Sequence, residues 1–258
     1  MVLTQIRSLR IWRSVRKGSA RALYERILDY VYPPRCPVCD RVADFRLRIH
    51  PACEKWLPLV KEPRCKKCSK PLSNKEDEYC FDCGRKHFSY ESGIALYVYN
   101  AKMSDSMSAL KYKNRKEYGS FYGHRLGKLC RKEILRMHPE AIVPVPVHPV
   151  RERRRGYNQA QVIAEALSEE IGVPVLANAL IRTKKTMPQK ELDDKGRLRN
   201  LLEAFGMREG CPDVSGRTLL LVDDIYTTGS TIEACTRVLL HAGAKRVYFA
   251  TVCIGNGF

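Results

Sequence analysis

Acidic residues are scarce in this chain. Its 28 Asp and Glu stand against 46 Lys and Arg, which leaves a formal charge of +18 over 258 residues. That shortage excludes an acidic, cation-seeking surface and favours partners that carry phosphate: nucleic acid, nucleotides, anionic lipid or phosphosugars. Long apolar runs are also missing. No stretch approaches the roughly 18 to 20 residues that cross a bilayer, so no membrane span is expected. The basic N-terminus has neither an apolar segment nor a small-residue cleavage site of the secretory kind, so the chain reads as cytoplasmic. Two nucleotide-binding signatures are absent too. There is no G-x-x-x-x-G-K-S/T loop and no G-x-G-x-x-G after a strand, which argues against a Walker-type NTPase and against a dinucleotide-binding unit.

What is present divides the chain. The apolar fraction of 44% suffices for a sizeable core, and the length suits a medium domain with a small one beside it. The segment Leu3 to Tyr32 mixes apolar residues with arginines and reads as a basic N-terminal extension, residues 1–32, forming a packing or capping helix rather than a membrane-surface one. Seven of the eleven cysteines fall between Cys36 and Cys83. They are arranged as Cys36-Pro-Val-Cys39, His50-Pro-Ala-Cys53, Cys65-Lys-Lys-Cys68 and Cys80-Phe-Asp-Cys83. This is one unit repeated: a pair, a hairpin-sized stretch and a second pair. Paired thiols at this spacing in a chain with no secretory signal point to metal in a reducing compartment. Each C-x-x-C turn aims two thiolates at one point, and two turns complete a tetrahedron around Zn²⁺. Two zinc ions are therefore expected, one held by Cys36, Cys39, His50 and Cys53 and one by Cys65, Cys68, Cys80 and Cys83. His50 in a cysteine position makes the first set the weaker. Exchange of ligands between the two units is left open. So short a segment has little core of its own, and the metal supplies much of its folding energy.

Beyond about residue 90 the pattern changes to strands alternating with helices. Ile94–Tyr99, Ala141–Val147, Arg217–Val222 and Arg246–Cys253 read as strands, and residues 115–137, 158–171 and 231–242 as helices. That alternation predicts a doubly wound α/β domain over residues 91–258, with a parallel sheet, following a metal module over residues 33–90. The most informative segment is Leu219–Thr231. An apolar strand ends in Asp223 and Asp224; Thr227, Thr228, Gly229, Ser230 and Thr231 follow, and a helix begins. Hydroxyls, a glycine and the unpaired N–H groups of a helix start make a phosphate cradle. The two acids suit sugar hydroxyls or a hydrated Mg²⁺. A helix capped by Ser230 or Thr231 explains the hydroxyls but not two acids at the end of a buried strand. After Pro144-Val-Pro-Val-His-Pro149 comes an arginine cluster with Arg151, Arg153, Arg154, Arg155 and Gly156, fit to hold pyrophosphate oxygens. Lys111 and Lys113 are a weaker basic candidate, and Gln189–Asn200 reads as a polar loop or helix start.

These residues together resemble the competence protein F (ComF) family. The resemblance is carried by LKYK at Leu110, PVPVHP at Pro144, RRRGYNQA at Arg153, MPQKEL with RLRN and AF up to Phe205, VDDIYTTGST at Val222, and the four metal-ligating pairs. VDDIYTTGST is similar to the phosphoribosyl-pyrophosphate loop of type I phosphoribosyltransferases, and the cysteine-rich part to a double zinc ribbon. The resemblance implies a type I phosphoribosyltransferase-like parallel sheet with a small hood. It implies that Asp223 and Asp224 meet ribose hydroxyls, that Thr227 to Thr231 hold the 5′-phosphate, and that Mg²⁺ accompanies the ligand. The reaction it implies is displacement of pyrophosphate from the anomeric carbon by a nitrogen nucleophile; no residue stands out as general base, and whether the chain is an enzyme stays open. Natural competence and DNA uptake are the implied setting. Single-stranded DNA, an uptake helicase and membrane machinery are the implied partners, with a peripheral position at the membrane. The alternative is a non-catalytic single-stranded DNA-binding component that uses the ribbons and the basic surface.

Overall fold

A computed structural model of the protein describes residues 33–182 and 204–255. The segment Leu3–Tyr32 and the stretch Gln189–Asn200 lie outside the described residues. Two compact units divide the chain, Met1–Glu54 and Lys55–Phe258. This division does not coincide with the one expected near residue 90, because the second cysteine cluster belongs to the larger unit.

The repeat read in the sequence extends to the backbone. In the smaller unit the Cys36 N–H donates to Arg41 and the Asp40 N–H to Cys36, and the short helix α1 (Pro51–Glu54) carries the last ligand. In the larger unit the Cys65 N–H donates to Lys70 and the Ser69 N–H to Cys65, and α2 (Phe81–Arg85) carries the last ligand. Asp40 and Ser69, each directly after its pair, both adopt positive φ (56° and 66°). Two tight knuckles of the same shape result.

The sheet of the larger unit has strands β1 (Gly93–Val98), β2 (Ala141–Pro144), β5 (Thr218–Tyr226) and β6 (Arg246–Ile254) in the order β1-β6-β5-β2, every pair parallel. β5 and β6 are central and almost wholly buried, as their continuous apolar runs require. Between β1 and β2 lie α3 (Ala101–Tyr112) and α4 (Lys116–Arg136); α5 (Pro149–Arg155) and α6 (Gln159–Ile171) follow β2. A separate antiparallel pair, β3 (Leu180–Arg182) with β4 (Phe205–Met207), precedes β5, and α7 (Ser230–His241) joins β5 to β6. The expected parallel-sheet α/β architecture is therefore present.

Three local differences from the sequence reading bear on the site. β5 does not stop at the two acids but continues through them to Tyr226. The arginine cluster forms the last turn of a helix, α5, closed by Gly156 in the left-handed region (φ 80°). Helix α3, started by the Asn100 side chain accepting from the Met103 N–H, was not anticipated. α4 meets α6 through Gly119, Gly123 and Gly127. A Cβ on Gly123 would lie 2.4 Å from the Ile163 carbonyl oxygen, so the two backbones touch where a side chain would stand.

Candidate functional site

The cysteine pairs come together as two separate sets, Cys36, Cys39, His50 and Cys53 in the smaller unit and Cys65, Cys68, Cys80 and Cys83 in the larger. Within each set the donor atoms all lie within 4.8 Å of one another, so no ligand is exchanged between the sets. Four donors around Zn²⁺ place neighbouring sulfurs about 3.7 Å apart. Cys68 and Cys80 Sγ are 3.6 Å apart, and His50 Nδ1 lies 3.3 Å from Cys39 Sγ and 4.0 Å from Cys53 Sγ. His50 Nε2 is 2.9 Å from the Val42 carbonyl, to which it donates, and this leaves Nδ1 as the atom that could ligate a metal. A histidine in the cysteine position thus does not break the tetrahedron.

The second group of residues is gathered at the carboxyl end of β5. Asp223 and Asp224 are both buried, at 8% and 4% exposure. Burial, and then the charge of Asp224, push the Asp223 carboxyl well above its ordinary pKa. The Asp223 side chain accepts from the Asp224 backbone N–H at 2.8 Å. Asp224 is met by Lys111 of α3, Nζ to Oδ2 at 2.5 Å. Burial opposes the Lys111 ammonium, but the neighbouring Asp224 and Asp223 outweigh it and its pKa is raised.

The loop after β5 is open where a phosphate would approach. Thr227 and Thr228 are exposed, Ser230 and Thr231 half-buried, and the Thr228 and Ser230 hydroxyls are 2.9 Å apart. Gly229 is the N-cap of α7, with φ 81° and no side-chain cap. Ser230 and Thr231 therefore leave the helix start uncapped, and the N-terminus of α7 opens toward the loop, the arrangement that attracts an anion.

The arginine cluster forms a cleft of about 280 Å³ lined by Lys111, Tyr112, Asn114, Arg151, Arg154, Arg155 and Tyr157. Of the cluster singled out in the sequence, Arg151, Arg154 and Arg155 line it; Arg153 and Gly156 do not. Lys111 both lines this cleft and pairs with Asp224, which joins the cationic cleft to the acid pair. The RGYN segment sets this geometry. The Tyr157 hydroxyl donates to the Leu110 carbonyl, directly before Lys111. Asn158 caps α6 and donates to the Val145 carbonyl at 3.0 Å, just beyond β2. Arg155 donates to Gln159 at 2.7 Å.

In sequence Lys111 stands out only as part of the LKYK run, with nothing to tell it from Lys113; the packing of α3 is what brings it to Asp224. Arg182 is marked by no sequence pattern. This residue, at the end of β3, lies over the Phe205 ring at 5.2 Å, and burial and then the charge of Arg151 lower its pKa.

Comparison with known proteins finds relatives for both parts of the chain. A double zinc ribbon domain matches residues 27–84 and a phosphoribosyl transferase domain matches residues 137–257. A Haemophilus influenzae protein described as competence protein F is 31% identical over 189 residues, covering 72% of this chain and 82% of that protein. The chain belongs to the competence protein F family. Another relative, DNA utilization protein YhgH of Escherichia coli K12, is 30% identical over 196 residues, 73% of this chain and 83% of that protein. Among solved structures, a purine phosphoribosyltransferase from Pyrococcus horikoshii Ot3 matches at 14% identity with a TM-score of 0.33, over 52% of this chain and 83% of that one. The N-terminal part of the chain is thus a double zinc ribbon, with Zn²⁺ as its metal, and a phosphoribosyl transferase domain follows. No helix among the described residues is long and apolar enough to cross a membrane.

Proposed function

We propose that the chain binds 5-phosphoribosyl-1-pyrophosphate, with Mg²⁺, at the end of β5. One observation carries the reading: two buried acids are followed directly by an open hydroxyl loop and an uncapped helix start, with Lys111 linking them to an arginine cleft. Asp223 and Asp224 take the ribose hydroxyls. The loop Thr227, Thr228, Gly229, Ser230 and Thr231 takes the 5′-phosphate through hydroxyls and N–H groups. Lys111, Arg151, Arg154 and Arg155 face the pyrophosphate. Carboxylate oxygens are the donor type that a hydrated Mg²⁺ accepts, and the ion offsets pyrophosphate charge. Cys36, Cys39, His50 and Cys53 hold one Zn²⁺, and Cys65, Cys68, Cys80 and Cys83 the other.

If the site turns over, pyrophosphate leaves the anomeric carbon as a nitrogen nucleophile bonds to it, and the fixed cations stabilise the departing charge. The setting is DNA uptake, after the relative named competence protein F. Calorimetry with zinc-loaded protein tests the binding reading: Mg²⁺-dependent heat, lost in the Asp223→Asn/Asp224→Asn double variant, is the expected result. No heat from folded wild type at several temperatures rejects it.

A second reading, single-stranded DNA binding, draws on other features. Phe81 is 67% exposed with the Arg85 guanidinium 4.2 Å from its ring centre, and the Lys55 ammonium is 5.6 Å from the Trp56 ring. Exposed rings beside cations are what unstacked bases bind. Affinity for a single-stranded oligonucleotide that falls steeply with salt, and that drops in Phe81→Ala, supports this reading; binding indifferent to both removes it.

A further inference from the structure

The chain leaving the second metal cluster touches the phosphate loop at three successive places. Phe88 stacks on Tyr90 at 5.1 Å, and a Cβ on Gly229 would stand 3.2 Å from the Phe88 ring, so this ring is seated against the turn of the loop. The Tyr90 hydroxyl is 2.7 Å from the Tyr226 hydroxyl, at the start of the loop. The Ser89 N–H and hydroxyl donate to the Glu233 carboxylate, at 2.7 and 2.8 Å, in the first turn of α7. Start, turn and end are each held by one of three consecutive residues.

The other side of the bracket is fixed by metal ligands. Phe88 follows Cys83 by five residues, and Cys65, Cys68 and Cys80 lie in the same buried cluster as Tyr90, Tyr226 and Phe249. Tyr90 meets the Phe249 ring edge-on at 5.0 Å, and Phe249 stacks on Tyr226 at 4.9 Å. The knuckle itself is tied down: the Ser69 hydroxyl donates to the Gly93 carbonyl at 2.7 Å, and the Gly93 N–H to the Lys67 carbonyl at 2.9 Å. Glu233 is 1% exposed, and Arg237 also donates to it at 2.5 Å. A buried carboxylate costs stability unless donors surround it, so Ser89 is held in place by more than packing.

We infer that Phe88, Ser89 and Tyr90 are positioning residues for the phosphate loop, and that metal at Cys65, Cys68, Cys80 and Cys83 holds the loop in its ligand-ready shape. For the ligand this rests on the reading proposed above; for the loop it does not. The second ribbon is then a part of the phosphate site rather than a separate module, and loss of its metal loosens residues 226–233.

Hydrogen exchange on full-length, zinc-loaded protein tests the coupling, with zinc content measured alongside. Tyr90→Phe and Ser89→Ala each remove one hydroxyl and leave the ligand set intact. Both are expected to keep two zinc ions while amides of residues 226–234 exchange faster and those of α6 keep their protection. Phosphoribosyl-pyrophosphate affinity is expected to fall about three- to tenfold, the range for one buried hydrogen bond. Chelation is expected to expose the same loop amides. Unchanged loop exchange in both variants, or loss spread equally through α6, overturns the inference. If zinc-loaded wild type gives no binding heat, the ligand reading fails, while faster loop exchange in the variants still upholds the coupling.

Discussion

Asp223 and Glu233 are two buried carboxylates with opposite situations. Glu233 receives donors from Ser89 and Arg237. Asp223 has the neighbouring acid against it, and its pKa is raised by burial first and by Asp224 second. Between the ordinary carboxylate value near 3.8 and that raised value, the folded chain binds more protons than the unfolded one. The stability contributed by Asp223 is therefore complete below the ordinary value and is lost as pH rises through the raised one. Asp223→Asn is expected to remove this cost and, on the function proposed above, to abolish ligand binding. The variant should melt higher than wild type at neutral pH, by about 0.5 to 2 kcal/mol, with the advantage shrinking toward pH 4. Thermal melts across pH, beside calorimetry, check both halves. At the same scale, His50→Ala should lower zinc content from two ions to one per chain, and His50→Cys should restore it. Metal analysis of the purified variants decides this, and undiminished zinc in His50→Ala removes His50 from the ligand set.

Among the elements, α4 and α6 depend on absent side chains. Gly123 of α4 has the Ile163 carbonyl oxygen and the Ala166 Cβ at 2.4 and 2.7 Å from where its own Cβ would stand. Neither neighbour is the far end of a flexible chain, so Gly123→Ala must move the helices apart. A cost of about 1 to 3 kcal/mol is expected, seen as a lower melting temperature. Gly206→Ala in β4, with nothing within 4 Å, serves as the neutral control. The glycines of α4 do not advertise this in sequence, because a helix with three glycines reads as a weak helix until its partner is known. α3 is weakly marked for another reason: Met103, Met107 and Leu110 do fall at helical spacing, but Ser104, Asp105, Ser106 and Ser108 between them are poor helix formers, and its start depends on one Asn100 side-chain hydrogen bond.

For the whole molecule, the boundary expected near residue 90 and the division of the folded chain at Glu54 differ, since the second metal cluster shares the core cluster of the larger unit with Tyr90 and Phe249. A fragment that begins at residue 91 would lose Tyr90, the second metal cluster and the edge of the core they share. We expect residues 55–258 to express as a folded, cooperative fragment with one zinc ion, and residues 91–258 to aggregate or melt without cooperativity. Circular dichroism melts and zinc analysis of the two fragments give the answer. A well-folded 91–258 fragment would show that the second ribbon is dispensable to the core.

The sequence by itself determined the family and which residues are candidates for its chemistry. Ligand type and spacing in the cysteine pairs, a strand carrying two acids into a hydroxyl loop, and the apolar runs of β5 and β6 are local patterns. Local patterns report local structure, because turn, strand and cap preferences act over a few residues. Only the tertiary structure decided which distant groups complete the sites. Lys111 reaches Asp224 across more than a hundred residues of chain, Ser89 and Tyr90 reach Glu233 and Tyr226, and helix α5 sets that Arg151, Arg154 and Arg155 line the cleft while Arg153 does not. Such contacts follow from how helices and strands pack, and packing is a property of the whole core rather than of any stretch of sequence.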